Sequence, residues 1–177
     1  MAKKGKASSF ILMAMPTSET METLIETLDR EDLTPEEWDD LNLALRARQE
    51  AYTPYSHFKV GAVIRTGDGN VAEGWNVENV IYSVLHAEEN ALGRLRNINR
   101  QNGLKRITVA GGPEKDERYA DPVYPCGICR QKLMEFFRKE DQPMVLCAGL
   151  RGKVVRVLLE QLIPNAFCPS MLKMENQ

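Results

Sequence analysis

The chain has 177 residues, 43% of them apolar and 27% charged, close to the globular average; this excludes wholesale disorder and makes one domain the expectation. Lysine and arginine number 23 against 25 aspartates and glutamates, and the net charge of −2 gives no overall pull toward nucleic acid or an anionic membrane. Four cysteines are too few for a disulfide scaffold, and no apolar run approaches the ~20 residues of a membrane span.

Residues 1–32 read as an N-terminal extension, partly flexible. Its apolar run, Phe10–Met15, is short for a secretory core of about 7–15 residues, so a cytoplasmic location is expected. Met21, Leu24, Ile25 and Leu28 fit a helical stripe, which predicts a helix over about 20–29. A domain is expected over 33–177. It opens on a clear start signal: Thr34 as N-cap, Pro35 at the first helical position, Glu37 to complete a capping box, and Leu33 with Trp38 as a staple. That helix should run to about Ala51 with Trp38, Leu41 and Leu45 on one face, ending before Pro54.

Phe58–Arg65 and Val71–Asn76 read as a hairpin around Gly67-Asp68-Gly69-Asn70. Ser83 offers a cap for a second helix reaching about Ile98, and Arg106–Ala110 reads as a strand. A polar loop should cover 111–124 and a third helix Cys126–Arg138. Strands over Met144–Ala148 and Val154–Leu158 follow, then a last helical stretch ending near Pro164. Alternating strands and helices without a repeat or internal boundary favour an α/β fold.

The chemistry concentrates in His86-Ala87-Glu88 and Pro125-Cys126-Gly127-Ile128-Cys129. Cys126 and Cys129 stand one helical turn apart, so both sulfurs face one side at a helix start, where free N–H groups favour thiolate. With His86 they make three protein ligands, the number that leaves a fourth position open on a catalytic zinc. Glu88 adds a carboxylate for general acid–base work beside such a metal. A lone C-x-x-C also suits a redox pair or half a zinc ribbon, and a lone H-x-E says little. In this order the two segments form the signature of zinc deaminases. His57 reads as a surface or loop histidine and Cys147 as a buried strand residue.

From Trp38 to about Leu172 the chain resembles the small cytidine deaminases that act on free nucleosides. The resemblance rests on four blocks: Tyr52–Ala62, Asn76-Val77-Glu78-Asn79, the two zinc motifs continuing through Arg130-Gln131, and Leu162–Pro169. It implies a three-layer fold with a mixed five-stranded sheet flanked by helices. It implies zinc on His86, Cys126 and Cys129, and proton transfer by Glu88. It further implies that the Ala87 N–H meets the pyrimidine O2, that Asn76 and Glu78 bind the ribose hydroxyls, and that Phe58 lines the base pocket. The Tyr124 carbonyl would face the amine. Phe167 would complete a pocket, often a neighbouring subunit's in that family, so a homotetramer (or a dimer) is implied.

The implied reaction is hydrolysis of cytidine and 2′-deoxycytidine to uridine and 2′-deoxyuridine. The sequence departs from the family pattern in several places. His86 replaces a third cysteine, and Glu89 and Asn90 stand where an arginine usually follows the glutamate; a neutral imidazole with two thiolates already balances zinc. Tyr124 replaces a small residue and Cys168 a glycine. Those last two departures leave room for another aminopyrimidine nucleoside, such as a nucleoside antibiotic, as substrate. A nucleotide or single-stranded nucleic acid is disfavoured by Glu78 near the sugar, and a non-catalytic binding role by the complete set of reactive residues.

Overall fold

The structure is a computed structural model, and it describes residues 25–96 and 99–172. Six strands form one mixed sheet: β1 (Glu26–Leu28), β2 (Phe58–Thr66), β3 (Val71–Trp75), β6 (Leu104–Pro113), β7 (Met144–Ala148) and β8 (Val154–Leu158), in the order β1-β8-β7-β6-β2-β3. Two short strands, β4 (Val77–Glu78) and β5 (Val84–Leu85), pair with each other beside it. Only β6 and β7 run parallel within the large sheet; its other neighbours are antiparallel. The five expected strands are therefore present, with β1 as a sixth at the edge.

Strand alternation sends side chains to two cores. On one face Ala62, Ile64, Ile107, Val109, Val145 and Cys147 pack against α2 (Ala87–Arg94) and α3 (Gly127–Leu133). On the other, Val63, Ala110, Leu146 and Ala148 pack against Leu41 and Ala44 of α1 (Pro35–Ala47). This gives the three layers α1, sheet, and α2 with α3.

The start of α1 follows its local chemistry. Glu37 N donates to Thr34 Oγ1 at 3.3 Å while Glu37 Oε2 accepts from Thr34 N at 2.9 Å, the reciprocal capping box, with Pro35 leading the helix. The helix ends at Ala47 and continues as a 3₁₀ turn, Arg48–Glu50. Its buried face is Glu37, Asp40, Leu41, Ala44 and Ala47, while Trp38 is 41% exposed, so the expected Trp38 stripe is displaced. The cause lies across the interface. Asp40 accepts from Arg65 Nη2 at 2.5 Å and Arg106 Nη2 at 2.6 Å, and Glu37 from Arg156 Nη2 at 2.8 Å. Paired charges thus replace part of the apolar face.

Other boundaries also differ. Residues 25–29 are not helical: β1 pairs antiparallel with β8, Glu26 opposite Arg156 and Leu28 opposite Val154, while the earlier part of the expected helix lies outside the described residues. Ser83 leads into β5 rather than capping a helix, and α2 begins at Ala87; the expected end at Ile98 also lies outside the described residues. The Asn79 side chain accounts for this, because its Oδ1 accepts from Ile81 N and Ser83 N and closes a turn before β5. β6 runs on through Pro113, so the polar loop starts later than expected, and α3 gives way to a 3₁₀ turn, Met134–Phe136. Arg138 is drawn away from the helix by Asp141 and the Gln101 carbonyl. The last helix, α4 (Leu159–Leu162), ends before Pro164. No helix among the described residues is long and apolar enough to cross a membrane.

Two glycines set the layer spacing. A Cβ on Gly61 would lie 2.0 Å from the Ala44 carbonyl oxygen, and one on Gly74 would lie 2.3 Å from both Ala87 O and Ala91 N. The backbones of α1 and α2 sit directly on the sheet at these points.

Candidate active site

α2 and α3 place their N-terminal ends at one cavity. His86 is the N-cap of α2 and Cys126 the N-cap of α3; both are extended, and neither caps its helix with its side chain. Both side chains are therefore free for other partners. His86 Nδ1 lies 3.4 Å from Cys126 Sγ. The ligand atoms of His86, Cys126 and Cys129 all lie within 4.8 Å of one another.

These three residues fit a zinc ion. Tetrahedral coordination with metal–sulfur bonds of about 2.3 Å separates neighbouring ligand atoms by about 3.8 Å, within the reach of this group. One imidazole and two sulfurs are typical zinc donors and leave a position for water or substrate. Burial pushes the Cys129 thiol well above its ordinary range, and the nearby Glu88 and Cys126 push it further. Burial and the two neighbouring acids oppose the thiolate that the helix start favours, and coordination to a metal deprotonates a thiol outright.

Glu88, in the first turn of α2, is 4% exposed, and its Oε2 accepts from Cys129 Sγ at 3.3 Å. Burial pushes its carboxyl upward, against the opposing pull of its own N–H and Cys129. A raised carboxyl can hold a proton as well as accept one. His86, Ala87, Glu88 and Cys126 line a cavity of about 230 Å³, closed by Phe58, Val60, Asn76 and Tyr124 among others. The Phe58 ring stands edge-on to Tyr119 at 5.8 Å.

Asn76 is at this wall, and much of its amide is engaged with β2. Its Oδ1 accepts from Val60 N at 2.8 Å and its Nδ2 donates to Phe58 O at 3.0 Å. One N–H and one lone pair remain for a ligand. Glu78 lies in an adjoining cavity of about 310 Å³ with Tyr55, Asn79 and Tyr82, and the two cavities share Ser56 and Val84. Its Oε2 accepts from Tyr55 N at 2.9 Å and Ser56 N at 3.2 Å. Burial pushes this carboxyl up, but hydrogen bonds from the Ser56 side chain and the two N–H groups prevail and hold it below the usual carboxylate range.

Phe167 lines neither cavity; its ring is exposed, and its carbonyl accepts from Gln131 Nε2 at 2.7 Å. Tyr124 is partly exposed, and burial pushes its hydroxyl up. His57 is exposed near Glu114, and Cys147 is fully buried in β7, as expected. Cys168 does not have a positive φ; Asn165, three residues earlier, does, at 57°. A larger cavity of about 570 Å³, near Arg100 and Arg138, lies away from this chemistry, and both arginines are paired with carboxylates. Arg130, in the second zinc motif but without a role legible in the sequence, donates to the Pro125 and Leu162 carbonyls. Its signal is its place in that motif, four residues beyond Cys126 and so on the same side of the helix.

The model of the cytidine and deoxycytidylate deaminase zinc-binding region matches residues 37–143. The cytidine deaminase of Halalkalibacterium halodurans is 34% identical over 125 residues, covering 70% of this chain and 88% of its own. That of Mycobacterium tuberculosis is 36% identical over 124 residues, covering 70% and 84%. Among solved structures, cytidine deaminase from Burkholderia pseudomallei superposes with a TM-score of 0.62 at 33% identity, covering 76% of this chain and all of that one.

Proposed function

The chain belongs to the cytidine and deoxycytidylate deaminase family, and from that premise we propose that it hydrolyses free cytidine and 2′-deoxycytidine to uridine and 2′-deoxyuridine, releasing ammonia, in pyrimidine salvage. The observation that carries this is the buried Glu88 carboxylate beside the His86, Cys126 and Cys129 group, in the wall of one cavity.

In this reading His86, Cys126 and Cys129 hold zinc. A zinc ion there supplies Lewis-acid chemistry and lowers the pKa of a water molecule toward neutrality. Glu88 takes a proton from the attacking water and delivers it to the ring N3; it then moves the proton of the new C4 hydroxyl to the amine, so that the C4–N bond breaks, ammonia leaves and the C4 carbonyl forms. The Ala87 N–H, one of the donors left free at a helix start, meets the pyrimidine O2. Phe58 flanks the base, and the Tyr124 carbonyl faces the amine. The free N–H of Asn76 and the Glu78 carboxylate reach the sugar hydroxyls, with the sugar lying toward the second cavity. An ionised Glu78 at that end favours a nucleoside over a nucleotide, because it repels phosphate.

We take 33–177 as the deaminase domain and 1–32 as an extension whose residues 26–28 add to the sheet. A homotetramer is the proposed assembly, with Phe167 completing a neighbouring copy's site. Apolar exposure near the second cavity supports this: Val80, Ile81 and Tyr82 are 76%, 77% and 85% exposed. A cytoplasmic setting accords with four free cysteines.

The test is ultraviolet absorbance of cytidine, deoxycytidine and CMP with the purified protein, with Glu88→Ala as control. Rapid loss of both nucleosides, slow or no loss of CMP and an inactive variant are expected. Silence on both nucleosides from zinc-loaded protein would overturn the substrate assignment and favour a different aminopyrimidine nucleoside, which the bulk of Tyr124 would select.

A further inference from the structure

We infer that Arg130 is a positioning residue that fixes Cys126 and the adjoining wall of the cavity through the two peptide groups on either side of Cys126. This rests on the metal-site reading above and extends it to a residue that touches neither metal nor substrate.

The geometry is specific. Arg130 N donates to the Cys126 carbonyl at 2.9 Å, the first helical bond of α3. Its side-chain Nε donates to the Pro125 carbonyl at 2.7 Å. The Pro125 carbonyl defines the plane of the peptide entering Cys126, and the Cys126 carbonyl defines the plane of the peptide leaving it. Fixing both planes fixes φ and ψ of Cys126, which are −70° and 167°. That in turn limits where its Sγ can lie.

The third bond anchors the guanidinium itself. Nη1 donates to the Leu162 carbonyl at 2.7 Å, at the last residue of α4, where a helix leaves carbonyls unpaired. The planar guanidinium thus holds two carbonyls from distant parts of the chain at a set separation. Lysine has one nitrogen at a time to offer and cannot reproduce the fork. Gln131 extends the contact by donating to the Phe167 carbonyl. Consecutive residues of α3 therefore seat the 162–167 segment against the helix that carries both cysteines. Tyr124 and Cys126, the neighbours of Pro125, both line the cavity, so a shift in the Pro125 carbonyl moves the wall as well as the ligand.

The test uses the full chain loaded with cobalt(II), whose visible absorption reports ligand geometry. Arg130→Gln and Arg130→Lys are compared with wild type by this spectrum and by the rate at which a chelator removes the metal. We expect altered cobalt bands in both variants and metal loss faster by about 10–100-fold in Arg130→Gln, the range for supporting residues around a metal, with Arg130→Lys between. A residue that only stabilised the fold would lower the melting temperature and leave the spectrum unchanged. Wild-type bands and a wild-type rate of metal loss in the variants would therefore overturn the inference, whatever their melting temperatures. Should Arg130→Gln fail to fold, Arg130→Lys alone decides on the same two readouts. Wild-type protein that took up no cobalt would instead overturn the metal-site reading itself.

Discussion

Glu88 and Cys129 meet across two helix starts, the thiol donating to the carboxylate at 3.3 Å. Both groups are buried, and burial favours the protonated form of each. Holding a carboxylate here opposes stability. The folded-state value of Glu88 is raised, so the cost is absent below its ordinary value of 4.5 and grows as pH rises above it. Glu88→Gln should therefore abolish turnover while stabilising chelator-stripped protein by about 0.5–2 kcal/mol at neutral pH. Thermal melts at pH 4 and pH 8 check this: the gain should be larger at pH 8.

Cys129→Ala and His86→Ala should each lose both metal and activity, as read by metal analysis of dialysed protein and by the nucleoside assay. Loading stripped wild-type protein with zinc at pH 7 should also release protons, because the Cys129 thiol starts protonated and a ligating sulfur does not stay so. An unbuffered titration with a pH indicator reads this directly, and Cys129→Ala should release less acid.

Glu78→Gln should raise KM for cytidine by about 10-fold or more, the loss expected for hydrogen bonds to a charged group, with zinc content unchanged. Its Oε2 also accepts from Tyr55 N and Ser56 N. Glu78→Ala should therefore cost more than Glu78→Gln, and the difference measures how far the carboxylate shapes the loop rather than the sugar contact.

Gly74→Ala tests whether the sheet positions the site. Its Cβ would fall 2.3 Å from the backbone of Ala87 and Ala91, so α2 must move outward. Overpacking of this kind costs about 1–3 kcal/mol, and it displaces the helix that carries Glu88. Metal retention and kcat should both fall. A variant with normal kcat and only a lower melting temperature would show that the site tolerates the shift.

Asp40→Ala should cost toward the lower end of the about 3–5 kcal/mol for breaking a buried ion pair from one side, because Arg65 and Arg106 lose their buried partner and keep only the half-exposed Glu36. Denaturant unfolding measures this. In the same network Glu36 is held down to about 2, first by its hydrogen bond from Lys105 and then by Arg106 and Arg65. Its contribution is complete above the ordinary value of 4.5 and is lost as pH falls toward about 2. Acid unfolding of Glu36→Gln should show a shallower dependence in that window.

The parts legible in the sequence were those whose chemistry is local. Thr34, Pro35 and Glu37 act within one turn, and the cysteines and His86 announce themselves by residue type and spacing. What escaped was set by distant partners. The buried face of α1 could not be read without Arg65, Arg106 and Arg156 opposite it. The stripe ending at Leu28 suits a helix until β8 supplies a partner. Ser83 is a sound cap in isolation, yet Asn79 closes a turn first. Asn76 reads as a sugar ligand, but its ladder-like bonds to β2 depend on a strand 16 to 18 residues away.

The pairing of β1 with β8 also bears on how the chain is made. Glu26 meets Arg156 across 130 residues, so β1 has no partner in this sheet until synthesis has passed β8. Among the described strands, the first made pairs with the last made. During that interval β1 lacks the backbone partners that β8 gives it in the fold. Arg30, two residues past β1, closes on the Gly149 and Gly152 carbonyls, so the turn that leads into β8 also ties down the strand that β8 receives.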